Sequence, residues 1–237
     1  MYSAVVKFRT RIKSNGVRFE LVEFKSADPH VESIEIEGPN GYEIQALIRL
    51  KDVRSPQEAR RLAEEVHLAA LDRIAFNHAV RLEKPERTGE EYIPAVEVDG
   101  IASAQGKFSM VNGIERLVLE AELEEAAPPG VRSYALFRSA LQSLSPAESF
   151  MHLYHILLMI FNDSQVNVDA FIIEQEPSVA RTPRPRNPSI QETTYTRLRN
   201  EMAHTRSGVN LATTKSEMSD RLDGLVALTK TAIQLHG

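Results

Sequence analysis

The stretch Tyr42-Glu43-Ile44-Gln45-Ala46-Leu47-Ile48-Arg49-Leu50-Lys51-Asp52-Val53-Arg54-Ser55-Pro56-Gln57-Glu58 changes its period partway, and that change decides the fold. Tyr42, Ile44, Ala46, Ile48 and Leu50 recur at every second residue, the pattern of a strand with one buried face. Ser55-Pro56-x-Glu58 then opens a helix. Ser55 is its N-cap, Pro56 takes the first helical position, where a missing N–H does no harm, and Glu58 closes a capping box. That helix is expected to run to about residue 82, with Leu62, Val66, Ala69, Ile74 and Phe76 on its buried side.

Upstream, Val6, Phe8, Thr10 and Ile12 alternate with Lys7, Arg9, Arg11 and Lys13. Asn15-Gly16 supplies a turn before Val17, Phe19 and Leu21. Downstream, strands are expected at 93–98, 107–111 and 115–123, with Asn112-Gly113 as the hairpin turn between the last two. Pro128-Pro129-Gly130 ends this character. Beyond it the sequence reads as helix over 131–143, 146–163, 190–206 and 214–235, and Ser145-Pro146-x-Glu148 repeats the capping signature. Residues 178–188, with three prolines and three arginines, read as an exposed loop. The expectation is an α+β chain: a β-rich domain with one long helix over 1–127, then an all-α bundle over 131–237.

Composition narrows the chemistry. The 237 residues are 42% hydrophobic and 26% charged, ordinary for a globular protein, and contain no cysteine. Disulfides, thiolate nucleophiles and thiolate metal sites are therefore excluded. The longest strongly apolar run, 156–161, is far too short to span a bilayer, and no basic segment followed by an apolar one opens the chain. A cytoplasmic location without membrane attachment is expected. No P-loop, dinucleotide fingerprint, Gly-x-Ser-x-Gly elbow or zinc-protease helix motif occurs, so no cofactor is expected. The net charge of −5 is uneven, with 17 basic and 23 acidic side chains in 1–130 against 11 and 10 in 131–237. Within 181–206, six arginines face only Glu192 and Glu201. A generic nucleic-acid binder would carry a broad basic face, whereas this distribution suits a small anion site.

The chemistry-bearing segment is Leu198-Arg199-Asn200-Glu201-Met202-Ala203-His204. Arginine can hold a phosphate and histidine can move a proton near neutral pH. The bare Arg-x4-His spacing is expected about 0.6 times by chance in this composition, and it does recur at Arg73 and His78. Requiring Asn after the arginine lowers that expectation to about 0.02, and only Arg199 meets the condition. At about 100° per residue, Tyr195, Leu198 and Met202 form one apolar stripe, with Asn200 and His204 nearly opposite and Arg199 on the flank. A histidine turned from its own core faces either water or a second subunit.

Leu-Arg-Asn-x-x-Ala-His in a helical domain of this size resembles the HEPN superfamily over roughly residues 131–237, with the helix around 154–161 as further support. Across the whole chain, the β-rich front half plus this domain is similar to methylamine-utilisation accessory proteins of the MauJ type. The first resemblance implies a dimeric helical bundle and a metal-independent endoribonuclease. His204 would act as general base or acid, Arg199 would hold the phosphate oxygens, and Asn200 would orient His204 or the phosphate. The products would be a 2′,3′-cyclic phosphate and a 5′-hydroxyl. Arg197, Arg206, Arg184, Arg186, His152 and His155 are weaker candidates for contacting the RNA. Non-catalytic members exist, so the rival reading is an accessory protein that uses this half for dimerisation or nucleotide binding.

Plainer readings stand beside each motif. Arg199 and His204 would also suit a helix C-terminus, where cations complement the dipole. Glu148, His152 and His155 fall at i, i+4 and i+7, a metal-capable spacing, yet the apolar residues around them point to partly buried, hydrogen-bonded histidines; no metal is expected. The arginines at 181, 184 and 186 either grip a nucleic-acid backbone or solvate a loop. For Arg73 and His78 a structural role is expected. The front half carries no recognisable chemistry, and sensing or binding of an unknown partner protein is its expected role.

Overall fold

The computed structural model describes residues 1–14, 16–94, 113–124, 131–185, 187–204 and 209–236. The chain is α+β, strands dominating its first half and helices its second. It divides into two compact units, Met1–Pro128 and Pro129–Gly237.

In the first unit, β1 (Tyr2–Ser14) is the axis of an antiparallel sheet. One edge pairs with β4 (Glu43–Val53), setting Val6 against Ile48 and Thr10 against Ile44. The other edge is shared between β6 (Glu86–Pro94), alongside Tyr2 to Arg9, and β5 (Arg81–Leu82), alongside Ile12 and Ser14. β3 (Val31–Gly38) joins β4, and β2 (Phe19–Phe24) joins β3. Alternation then puts Ala4, Val6, Phe8, Thr10, Ile34, Ile36, Ile44, Ala46, Ile48 and Leu50 on one buried face. The register slips between Phe19 and Val22. Leu21, expected inward beside Phe19, is therefore exposed, and Val22 and Phe24 are buried in its stead.

The face is covered by α1 (Pro56–His78) through Ala59, Leu62, Ala63, Ala70, Leu71 and Ile74. Ser55 Oγ accepts the Glu58 N–H at 3.2 Å, and the Glu58 carboxylate accepts the Arg54 N–H at 2.7 Å, one residue beyond the expected box. Ala69 is exposed, and His67, fully buried, stacks on Phe8 with ring centroids 4.7 Å apart. The helix stops short of residue 82 because Ala79 adopts a left-handed φ of 50°, releasing Arg81–Leu82 to pair as β5.

The strand expected at 115–123 is a helix, α2 (Arg116–Glu124). Its residues fit both periods, but they are almost all strong helix formers. Leu119 and Leu123, at i and i+4, bury together, and Arg116 Nε bonds Glu120 at 2.6 Å along the same helix. The strand expected at 107–111, Asn112 of the hairpin turn, Asn15, Pro128-Pro129-Gly130 and most of 93–98 lie outside the described residues.

The second unit is organised around α4 (Pro146–Ile160), which packs against α3 (Val131–Leu141), α7 (Leu211–Asp220) and α8 (Leu222–His236). Its capping box is complete, with Glu148 N–H on Ser145 Oγ at 3.2 Å and Ser145 N–H on Glu148 at 3.3 Å. Asn162 and Asp163, with φ of 55° and 57°, turn the chain before α5 (Gln165–Gln175), a helix the sequence pattern did not reveal. Within the stretch expected as an exposed loop, β7 (Arg181–Arg184) pairs antiparallel with β8 (Asn187–Thr193). Helix α6 (Thr194–Ala203) consequently starts after the strand, not at residue 190. The single helix expected over 214–235 is α7 and α8, separated at Arg221. Among the described residues no single helix is long and apolar enough to cross a membrane.

Candidate site at the end of helix α6

Helix α6 is short, and half of its ten residues are buried. Thr193 caps it, its Oγ1 accepting the Thr196 N–H at 3.3 Å. Tyr195 and Leu198 enter the core as the apolar stripe requires, and Met202 is half-buried. Phe150 of α4 stacks on Tyr195 with centroids 6.2 Å apart. The Tyr195 hydroxyl donates to Glu176 at 2.9 Å, and burial together with that carboxylate pushes it up to about 12.

The opposite face is covered too, by α5 and the β7–β8 hairpin. Asp169 of α5 is 4% exposed and gathers four donors. Its Oδ1 accepts Thr193 N at 3.0 Å, Thr193 Oγ1 at 2.8 Å and Thr196 Oγ1 at 2.6 Å, while Oδ2 accepts Arg184 Nη2 at 3.2 Å. The single Thr196 hydroxyl hydrogen goes to the carboxylate. The Tyr154 hydroxyl, 2.6 Å from Thr196 Oγ1, must therefore be the donor of that pair. Burial raises the Tyr154 hydroxyl above its ordinary value, so it keeps this proton.

Beside this network lies the expected site. Asn200 is 5% exposed and does not share an outward face with His204. Its amide Nδ2 donates to Glu192 Oε2 at 3.0 Å. Its Oδ1 accepts Gln165 Nε2 at 2.8 Å and Arg199 Nη1 at 3.1 Å. The carboxylate only accepts and the guanidinium only donates, so the amide has one possible orientation. Asn200 thus orients Arg199; only its backbone carbonyl reaches His204, accepting the His204 N–H at 3.0 Å. The helical wheel misplaced the asparagine because no local pattern marks α5 or the hairpin, which close what would have been an open face. His204 is exposed, turned from its own core as expected, but it follows the last helical residue in an extended conformation (φ −131°, ψ 132°) and does not lie within the helix. Among the described residues no hydrogen bond or ion pair engages its imidazole, and Arg199, half-buried, bonds only Asn200.

The weaker candidates scatter. Arg197 is committed to Glu201 at 2.8 Å and to Glu217, and Glu201 also accepts Thr214 Oγ1 at 2.9 Å. With Thr194, Glu217, Asp220 and Arg221, Arg197 lines a concavity of about 450 Å³ whose charges largely cancel. Arg184 is neither a free grip nor a solvated loop residue: it pairs with Asp169 and stands 3.8 Å from Glu192. Arg186 and Arg206 lie outside the described residues. Glu148, His152 and His155 are all exposed rather than partly buried, because the core face of α4 belongs to Phe150, Leu153, Tyr154 and Leu157. His152 stands about 160° round the helix from Tyr154, the residue aimed at α6. It meets Ser143 Oγ at 3.1 Å, and the structure does not bring it to the α6 site. Among the described residues no cluster of His, Asp and Glu could hold a metal ion.

The second Arg-x4-His match is structural. Arg73 Nη1 donates to the terminal carbonyls of α2, Glu122 at 3.2 Å and Leu123, and His78 Nε2 lies 3.0 Å from the Glu122 carboxylate. Sequence reading missed Asp169, Gln165 and the role of Glu192. The available signal was Glu192 itself, an acidic residue inside an arginine-rich stretch. No protein-family model, curated protein or solved structure matches the chain.

Proposed function

We propose that the helical unit binds RNA at the C-terminal end of α6 and cleaves it without a metal. The observation that carries this reading is the contrast between the cations of this segment. Arg184 and Arg197 are consumed by carboxylates, whereas among the described residues Arg199 bonds only a neutral amide oxygen and no partner engages the imidazole of His204, five residues further on. The remaining guanidinium donors would take the non-bridging oxygens of a phosphodiester. The 2′-hydroxyl would lose its proton to one imidazole as its oxygen attacks phosphorus, and the departing 5′-oxygen would take a proton from an imidazolium. One histidine cannot fill both roles in a single event. Two chains meeting at their α6 ends would supply both, so a homodimer belongs to the proposal.

A second reading has an observation of its own. Arg199 is half-buried, which suits a non-catalytic binding or accessory module, the role implied by the likeness to methylamine-utilisation proteins. The test is incubation of labelled RNA with the full chain in EDTA, beside Arg199→Ala and His204→Ala. Cleavage that persists in EDTA, falls about 100- to 10,000-fold in His204→Ala, and spares RNA carrying one 2′-deoxynucleotide at the cleavage point supports the nuclease. RNA left intact by every protein, but bound less tightly by Arg199→Ala, supports the binding module. A 26.6 kDa monomer by light scattering removes the two-histidine mechanism.

A further inference from the structure

We infer that Glu192 is the positioning residue of this site, acting on Arg199 through the Asn200 amide. The inference rests on the proposed phosphate-holding role of Arg199 for its functional meaning, but its geometry stands by itself. Glu192, on β8, is 1% exposed, and its carboxylate receives the Asn200 amide hydrogen at 3.0 Å. That bond excludes the flipped amide, which would turn a second oxygen toward the carboxylate and an N–H toward the guanidinium. The Asn200 oxygen is thereby aimed at Arg199, with Gln165 as a second donor holding it from the α5 side. A carboxylate in direct contact with Arg199 would cancel the charge a phosphate needs. The interposed amide lets Glu192 fix the guanidinium without neutralising it. Arg184, 3.8 Å away, supplies the opposite charge that makes a carboxylate tolerable here.

The test has one arm that needs no RNA. In the full chain, NMR of the guanidinium nitrogens, with Arg199 assigned by loss of its signals in Arg199→Lys, reports rotation about its Nε–Cζ bond. Hindered rotation in the parent protein that becomes fast in Glu192→Gln supports the positioning role. Unchanged Arg199 signals in a folded Glu192→Gln protein overturn it. Glu192→Asp keeps the charge beside Arg184 but withdraws the carboxylate from Asn200, so it gives the same answer if the Gln variant does not fold. The second arm measures affinity for a 2′-O-methyl RNA oligonucleotide, which cannot be cut. Weakening of about three- to tenfold in Glu192→Gln, with no further loss when Asn200→Ala is added, is expected for a residue acting through that amide. Additive losses from the two changes overturn the relay. If Arg199→Ala binds RNA as the parent does, while the Arg199 guanidinium of the otherwise unchanged chain responds to Glu192→Gln, the phosphate reading fails and the positioning stands.

Discussion

Asp169→Asn is the sharpest perturbation of the network under α6. The change removes a charge and leaves the volume intact, so no cavity contributes. If the new amide nitrogen replaces Oδ1, three accepted bonds disappear, from Thr193 N, Thr193 Oγ1 and Thr196 Oγ1. If it replaces Oδ2, two donors meet where Arg184 now bonds at 3.2 Å, and that guanidinium loses its nearest carboxylate. A bond to a charged group contributes about 1.5–3 kcal/mol, and removing one member of a buried pair costs about 3–5 kcal/mol. The site is 4% exposed, so solvent offers little compensation. The expected loss is about 3–5 kcal/mol, a large share of the ~5–15 kcal/mol that holds a typical domain. Urea unfolding of the full chain, followed by circular dichroism, reads it as a lower midpoint, and hydrogen exchange should locate the loosening at β8 and α6. A loss below about 1 kcal/mol would mean that the network contributes little to stability, and would refute the reasoning.

Two further outcomes follow from Tyr195. A Cβ at Gly224 of α8 would overlap the Tyr195 hydroxyl, which is pinned by Glu176, so Gly224→Ala should destabilise despite the ~1 kcal/mol that alanine gains in a helix. In a Tyr195→Phe background, where that oxygen is gone, the same change should stabilise; stabilisation in the parent chain would sink the idea. Ionisation of Tyr195 gives the second outcome. Its folded value of about 12 lies above the ordinary 10.0, so the stability it contributes is complete below pH 10 and is lost as pH rises towards 12. The slope is about 1.4 kcal/mol per pH unit for each such tyrosine. In an alkaline titration its tyrosinate absorbance should grow together with loss of helix; ionisation near pH 10 with the helix intact would contradict it.

The sheet and the helix starts were legible because each rests on a local pattern. Alternation marked β1 and β4, and the Ser-Pro-x-Glu signatures marked α1 and α4 within a residue. Where the structure departs, the deciding contact is non-local or the pattern is ambiguous. Leu21 turns outward through a register slip against β3, which no reading of 19–24 alone could contain. Residues 116–124 satisfy both periods, and packing of Leu119 and Leu123 chose between them. The hairpin was obscured by its prolines, which are tolerated because a two-stranded ribbon has only edge strands. At the candidate site, Arg199 and His204 were legible as a motif, while the partners that give Asn200 its orientation come from elements 8 and 35 residues away in sequence.

The two Arg-x4-His segments show what the spacing does and does not specify. In both, the residue after the arginine is the one that points inward: Ile74 is 1% exposed and Asn200 is 5% exposed. Ile74 joins the apolar core, and its neighbours Arg73 and His78 are spent on the end of α2. Asn200 brings an amide into a buried position, where an apolar residue would need no partners and would pack at less cost. It is tolerated only because Glu192, Gln165 and Arg199 satisfy it. Stability alone gives no reason to bury an amide and a carboxylate beneath a ten-residue helix. Holding a cationic side chain in one orientation, with its charge left available, does give one. The distinction between the segments therefore lies in the side chain between arginine and histidine, and the spacing they share carries none of it.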